Sequence, residues 1–211
     1  RRRHTRYWRD WSSDVCSSDL AALSIFVLAG CSQVNTAAKI GDTEITNKQI
    51  QNSVSNILTE RRKLEIDTSS LPTGEKLTNS VLQFHLYAVL FDAIAKGTKL
   101  TVTDGDIAKE RTAILAQIGN EERLPMALAK ASIAAEDFPR YLRTVVILTK
   151  IRQALAAAGD TSTDDSGIQK IVIAAGQRER VEVNPRYGKW NFSTGSIEAP
   201  TGNSAVKQLS K

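Results

Sequence analysis

Apolar residues recur every three or four positions along most of this 211-residue chain, which is the spacing of helices that bury one face. The widest pattern runs from Leu77 to just before Gly97, so we expect this helix to lie at the centre and to touch several neighbours. Narrower patterns predict further helices around it, over residues 46–67, 103–119, 121–131, 135–157 and 168–175. The pattern therefore predicts a mostly α fold.

Two of these helices carry a start signal in the sequence. Thr46 precedes Gln49 by three positions, and Thr103 precedes Asp106 by the same spacing. In a capping box the hydroxyl and the second side chain each accept a hydrogen bond from a backbone N–H that the helix leaves without a partner. We therefore expect helices to begin at both threonines.

A small β element is predicted at the two ends of the helical region. Residues 37–45 read as two short strands around a turn at Gly41 and Asp42, and Val181-Glu182-Val183 alternates like a strand. Because an isolated hairpin is marginal in water, we predict that Val181 and Val183 pair with the hairpin and join the two ends. The predicted domain covers residues 37–192, and residues 193–211, rich in Ser, Gly and Thr, predict a flexible tail.

The first strongly apolar segment precedes this domain. Residues 20–27 form a short apolar run, and Leu28-Ala29-Gly30-Cys31 follows it directly. This order resembles the signal and lipobox of bacterial lipoproteins. The resemblance implies cleavage before Cys31 and a diacylglyceryl group on its sulfur, with residues 31–36 as a spacer. Two acyl chains suffice for stable anchoring, so the implied partner is a membrane, at its extracytoplasmic face.

Residues 1–19 do not fit a normal signal peptide. Asp10, Asp14 and Asp19 stand among the arginines, and acidic charge before the apolar run opposes export. The run 9–20 resembles translated sequencing-adapter read-through, so we exclude it from the prediction of the fold. Cys16 lies upstream of the predicted cleavage site, which leaves Cys31 as the single thiol of the processed chain.

Composition narrows the classes of function. A hydrophobic content of 41% excludes a wholly disordered chain. The net charge of +5 falls to 23 basic against 20 acidic residues once residues 1–20 are set aside, and the arginines are dispersed. So small and scattered an excess does not indicate a nucleic-acid-binding surface.

Candidate catalytic or metal-binding chemistry is sparse. The sequence contains no Walker loop, no cluster of His and Cys at metal-ligand spacing and no Gly-x-Ser-x-Gly elbow, so we predict no enzyme, cofactor or metal. His85 is the one histidine beyond residue 31, and without a partner ligand it is more typical of a histidine that packs between helices or is partly exposed. Arg61, Arg62 and Lys63 are compatible with anionic lipid, but a solvated helix face is the favoured interpretation.

The order of elements along the chain combines the lipobox, the Ile40-Gly41-Asp42 hairpin, a capped helix, the segments 100–107 and 136–143, and a Val-x-Val-Asn-Pro-Arg-Tyr-Gly pattern at 181–188. Over residues 37–190 this order resembles the SurA N-terminal domain family. Ala134 departs from the family, where a hydroxyl-bearing helix cap is commoner. The resemblance implies the chaperone half of an extracytoplasmic foldase, without the parvulin isomerase module, for which residues 159–181 leave no room.

The function that this resemblance implies is non-catalytic binding of unfolded or partly folded exported polypeptides. Such binding requires an exposed apolar groove, expected between the helix at 77–95 and the helix at 138–155. The candidate contact residues are aromatic: Phe84, Phe91, Phe138, Tyr141, Tyr187 and Trp190. For Tyr187 and Trp190 the alternative is packing of the terminal segment. The alternative function is a structural or adaptor lipoprotein that binds one defined envelope partner.

Overall fold

The computed structural model describes residues 35–159 and 163–198. Six α-helices make up most of this part of the chain, together with five short strands, so the predicted mostly α fold is confirmed. The helices are α1 Asn47–Lys63, α2 Gly74–Gly97, α3 Asp104–Ile118, α4 Leu124–Lys130, α5 Phe138–Ala157 and α6 Asp165–Arg178. The strands are β1 Thr36–Ile40, β2 Thr43–Thr46, β3 Glu182–Val183, β4 Lys189–Asn191 and β5 Ser196–Glu198. Single turns of 3-10 helix precede α4 and α5.

Both predicted capping boxes are formed. Thr46 accepts a hydrogen bond from the backbone N–H of Gln49, and the Gln49 side chain accepts one from the backbone N–H of Thr46. Thr103 and Asp106 make the same reciprocal pair at the start of α3. Ala134 makes no side-chain capping bond, in keeping with its departure from the family pattern.

Helix α2 is the centre of the domain, as predicted. It packs against α1, α5, α6, the first two strands and β5, and ten of its residues are buried. Leu77, Leu82, Leu86 and Leu90 are fully inaccessible to solvent. A helix buried on such a wide arc cannot also present that arc to a partner, so most of its apolar residues are core.

The small sheet joins the two ends of the domain. Its strand order is β2-β1-β3, and β3 pairs antiparallel with β1 through Ala38 with Val183 and Lys39 with Glu182. The predicted pairing is therefore confirmed for Val183, whereas the N–H of Val181 donates to the Gly176 carbonyl instead. Val181 lies just before the assigned strand and is buried in the main core.

The first six residues of the predicted flexible tail, residues 193–198, belong to an ordered hairpin. Strands β4 and β5 form a second antiparallel hairpin that extends to Glu198. Its backbone is held by α2, because the Tyr87 hydroxyl donates to the Gly195 carbonyl at 2.9 Å and the Ile197 N–H donates to Gln83 Oε1 at 2.7 Å. Thr36 likewise belongs to β1 rather than to the predicted spacer. Residues 199–211 lie outside the described residues.

A second, smaller apolar cluster lies between α3, α4 and α5. Leu124, Leu128, Phe138 and Leu142 are its buried members, and α3 contributes only partly buried side chains to it. Helix α3 therefore covers this cluster from outside. Within residues 35–159 and 163–198, no helix combines the length and apolar character needed to cross a membrane.

Candidate functional site

An open apolar groove lies between α2, α5 and α6. Its volume is about 710 Å³. The segment that follows α2 forms one wall of the groove, the C-terminal half of α5 lines it opposite, and α6 contributes Ile171. Apolar side chains dominate its lining: Ile94, Leu100, Ile151, Ala154, Leu155 and Ile171.

The groove retains apolar surface that the core does not cover. Ile94 and Ile151 are buried and form its base, whereas Leu100, Leu155 and Ile171 are half-buried and Ala154 is exposed. The predicted groove between the helices at 77–95 and 138–155 thus has a counterpart, but it lies at their C-terminal ends. A hydrophobic site of this size is large enough for several side chains of a bound molecule.

The groove presents almost no free charge. Lys150 is the one charged side chain among the lining residues, all of which lie in the described part of the chain. Its ammonium donates to the Asp106 carboxylate at 2.6 Å and to the Thr101 carbonyl at 2.9 Å. The Lys150 hydrogen bond and those from Thr103 lower the pKa of Asp106 to about 2, so this carboxylate stays ionised opposite the ammonium at neutral pH.

The aromatic residues predicted to contact a polypeptide do not line this groove. Phe91, Phe138, Tyr187 and Trp190 are buried, and Phe84 is half-buried. Phe91 lies in the main core between helices, and the Trp190 indole packs on α6 at Gly176. Their burial corrects the expectation of an aromatic binding surface, because rings this large stabilise the domain most when they are removed from water.

Tyr141 and Tyr187 also make structural contacts. Tyr141 is half-buried and stacks on Phe138 with ring centroids 6.4 Å apart, within the smaller cluster. The Tyr187 hydroxyl donates to Asn47 Oδ1 at 2.8 Å, which supports the alternative that the terminal segment packs on the helices. On α5 the groove is lined by Ile151, Ala154 and Leu155, which continue the apolar stripe of this helix toward its C-terminus. The sequence contained this signal, because Ile151 and Leu155 recur at helical spacing.

His85 is buried in a polar cluster with Ser53 and Asp137. The Ser53 hydroxyl donates to Asp137 Oδ2 at 2.7 Å, and His85 Nε2 lies 3.3 Å from Ser53 Oγ and 3.2 Å from Asp137 Oδ2. Because the serine hydrogen is directed at the carboxylate, the imidazole donates its Nε2 hydrogen to this pair. The prediction of a packing histidine is confirmed.

This cluster is not arranged for nucleophilic catalysis. In a catalytic triad the serine and the carboxylate lie on opposite ring nitrogens, whereas here both meet Nε2. All three side chains are buried, so a substrate has no approach to them. Burial by itself would raise the pKa of Asp137, but the hydrogen bonds from His85 and Ser53 outweigh it and hold that pKa below its ordinary value.

Arg61 corrects the expectation of a solvated basic face. Its side chain is 1% exposed, although its neighbours Arg62 and Lys63 are exposed. The guanidinium donates to three oxygens that lie in other segments: the Ala129 carbonyl at 2.9 Å, the Pro72 carbonyl at 2.7 Å and Ser132 Oγ at 2.9 Å. Burial lowers its pKa, and the three acceptors compensate for the lost water.

The predicted lipid site lies outside the described residues. Leu28, Ala29, Gly30 and Cys31 all precede residue 35, and so do the proposed read-through residues 1–19. Among the residues that the structure does describe, no three His, Cys, Asp or Glu side chains are grouped so as to hold a metal ion.

In its described part the chain is a mostly helical domain that carries an open apolar groove between α2, α5 and α6. Comparison with protein families identifies its family: the model of the SurA-like N-terminal domain matches residues 18–152, more than half of the chain. The chain belongs to this family. No curated protein and no solved structure matched it. The groove is built partly from matched residues and partly from residues after 152.

Membership has a general consequence for activity. The SurA N-terminal domain is the non-catalytic, chaperone-like part of a family associated with peptidyl-prolyl isomerases, and it binds polypeptide substrates in general.

Proposed function

We propose that this chain binds unfolded or partly folded exported polypeptides without catalysis, and that the groove between α2, α5 and α6 is where it binds them. The observation that carries this proposal is the partly exposed apolar lining, whose one cation is neutralised by Asp106. An apolar segment of a client can enter such a site without desolvating an unpaired charge.

The expected affinity is modest. Each Å² of apolar surface removed from water contributes roughly 25 cal/mol, and part of that gain offsets the ordering of a flexible client. Leu100, Leu155 and Ile171 are only half-buried, so the surface that they offer is limited. Weak binding of this kind suits a chaperone, because a client must be released in order to fold.

A matched pair of variants on α5 tests the site. Ala154 lines the groove and Ala156 does not, and both are exposed on the last turns of the same helix. Ala154→Glu places a carboxylate in the apolar lining, whereas Ala156→Glu adds the same charge nearby. We expect the full chain and Ala156→Glu to suppress light scattering by an aggregating client at near-stoichiometric ratios, and Ala154→Glu to need several-fold more protein.

Two outcomes would argue against the proposal. Equal suppression by both variants would mean that clients bind elsewhere. No suppression by the unmodified chain at a several-fold molar excess would favour the alternative function, an adaptor that recognises one defined envelope partner through a compact, well-matched patch.

We also propose that the chain is not itself a prolyl isomerase. What supports this is the burial and arrangement of His85, Ser53 and Asp137, which leave no accessible acid and base pair at that cluster. In a refolding assay limited by proline isomerisation, adding the chain is expected to leave the rate unchanged. A dose-dependent acceleration would overturn this proposal.

We further propose that the chain is a lipoprotein, anchored at the extracytoplasmic face of the cell membrane through Cys31. The support is the sequence pattern at residues 20–31. Cys31→Ser removes the thiol that takes the lipid, so the variant is expected to leave the membrane fraction and to lose labelling by a radioactive fatty acid. An unlabelled wild-type chain, or a variant that stays in the membrane fraction, would contradict the proposal.

A further inference from the structure

One wall of the groove is not helical. After α2 ends at Gly97, residues 98–103 run as an irregular segment to the start of α3, and Thr98, Leu100 and Thr101 of this segment line the groove. The segment is tied to α2 by the hydrogen bond from Leu100 N–H to the Ala95 carbonyl at 2.8 Å. Its position relative to α5 is set by the packing of Leu100 and Val102 on the main core and by polar contacts across the groove.

Lys150 supplies such a contact. From α5 its ammonium reaches the Thr101 carbonyl in the wall and the Asp106 carboxylate on the first turn of α3. That same Asp106 oxygen also accepts from the Thr103 N–H at 2.8 Å and so completes the cap of α3. One ammonium therefore joins α5, the groove wall and the start of α3.

The ion pair has a second effect on the groove. The side chains of Lys150 and Asp106 are each 29% exposed, so water screens this pair less than it screens a fully exposed one. While the ammonium is held by Asp106, Lys150 lines the groove with its charge compensated. Without Asp106 the groove would carry an unpaired cation.

We propose that Lys150 is a positioning residue of the groove, which fixes the wall at Thr101 and, through its pairing with Asp106, makes the groove selective for uncharged segments. This inference rests on the proposed polypeptide-binding function. It goes further by naming the contact that sets the shape of the groove and the chemical class of segment that fits it.

The positioning effect can be measured without any client. Lys150→Met keeps an apolar stem and removes the ammonium, and Lys109→Met makes the same change at an exposed lysine on α3. In the full chain we expect amide hydrogen exchange of residues 98–103 to accelerate by about three- to tenfold in Lys150→Met and to stay at the wild-type rate in Lys109→Met. Unchanged exchange in Lys150→Met would overturn the inference, whatever the clients do.

The selectivity effect needs a second variant. Asp106→Asn keeps an oxygen that can cap α3 but removes the charge opposite Lys150. Two synthetic peptides serve as probes, one wholly apolar and one with a single central Glu. We expect wild type to prefer the apolar peptide, and the ratio of the two affinities to shift toward the Glu peptide by about three- to fivefold in Asp106→Asn.

The double variant separates charge from structure. If the shift arises from the freed ammonium, Lys150→Met added to Asp106→Asn returns the ratio to the wild-type value, whereas a merely structural role for Asp106 would leave the shift in place. A wild-type ratio in Asp106→Asn would overturn the selectivity. Failure of the wild type to bind either peptide would overturn the selectivity together with the proposed function, while the exchange experiment still decides the positioning.

Discussion

The imidazole Nε2 of His85 lies 3.2 Å from Oδ2 of Asp137, so the middle of α2 is joined to the turn before α5 inside the domain. Ser53 adds α1 to the same junction through its 2.7 Å bond to Asp137. Three segments that are far apart in the sequence therefore share one buried carboxylate. The stability of the domain should depend on this contact more than on surface ion pairs such as Arg143 with Asp92.

The first prediction concerns the loss of this carboxylate. Asp137→Ala leaves the buried Ser53 hydroxyl and His85 N–H without their acceptor, at a cost of about 2–3 kcal/mol in the free energy of unfolding. Glu136→Ala, at the exposed neighbour, removes one surface hydrogen bond to Asn56 and is expected to cost less than about 1 kcal/mol. Urea unfolding of both variants measures the difference, and equal costs would contradict a structural role for the cluster.

The second prediction is a pH dependence of the same cluster. The pKa of Asp137 is lower in the folded protein than its ordinary value of 3.8, so the stability that this group contributes is present above that value. It is lost as the pH falls through the folded pKa. We therefore expect the difference in the free energy of unfolding between wild type and Asp137→Asn to become smaller as the pH falls from 6 to 3. A difference that grows on acidification would contradict a lowered pKa of Asp137.

The third prediction separates two adjacent arginines on α1. Arg61→Met removes the buried guanidinium and its hydrogen bonds to the Ala129 carbonyl, the Pro72 carbonyl and Ser132 Oγ, and should cost about 3 kcal/mol or more. Arg62→Met is the matched control, because Arg62 is exposed, and it should change the stability by less than about 0.5 kcal/mol. Arg61→Lys should recover only part of the lost stability, since a lysine ammonium cannot reproduce the hydrogen-bond geometry of the planar guanidinium. Similar stabilities for the two Met variants would exclude a stabilising role for the buried hydrogen bonds of Arg61.

The fourth prediction concerns the contact between α6 and the C-terminal hairpin. A Cβ added at Gly176 would lie 3.0 Å from Trp190 Nε1, so Gly176→Ala should destabilise the domain by about 1–3 kcal/mol despite the better helix propensity of alanine. At Gly105 in α3 the nearest atom would be 3.7 Å away, an ordinary contact. Gly105→Ala is therefore expected to be neutral or to stabilise by up to about 1 kcal/mol. Thermal unfolding of the pair checks both signs.

Local signals explain why much of the fold was predictable. The capping boxes at Thr46 and Thr103 each form between residues three positions apart, so four consecutive residues are enough to predict the start of each helix. The wide apolar arc of α2 likewise predicted that this helix lies at the centre, because a helix that is apolar on most faces is buried by several neighbouring elements. The pairing of Val183 with Ala38 followed from the instability of an isolated hairpin.

Features that depend on distant partners were not predictable in this way. Arg61 stands in a basic run that is typical of a solvated face, yet its acceptors come from Pro72, Ala129 and Ser132, up to 71 residues away. The segment from residue 193 to Glu198 has the composition of a tail, and it is ordered by Gln83 and Tyr87, more than a hundred residues earlier. Composition describes what a segment prefers alone, and these contacts exist only once the helices have packed.

By itself the sequence determined the presence of the helices, the starts of α1 and α3, the closing of the small sheet and the family, because each rests on periodicity, short-range hydrogen bonding or the order of elements. The tertiary structure alone decided which apolar residues became core and which stayed accessible. Phe91 and Trp190 became core, whereas Ala154 and Leu155 remained to line the groove. Burial depends on what packs against a side chain, and α6 and the wall at Thr101 reach α5 only in the folded domain.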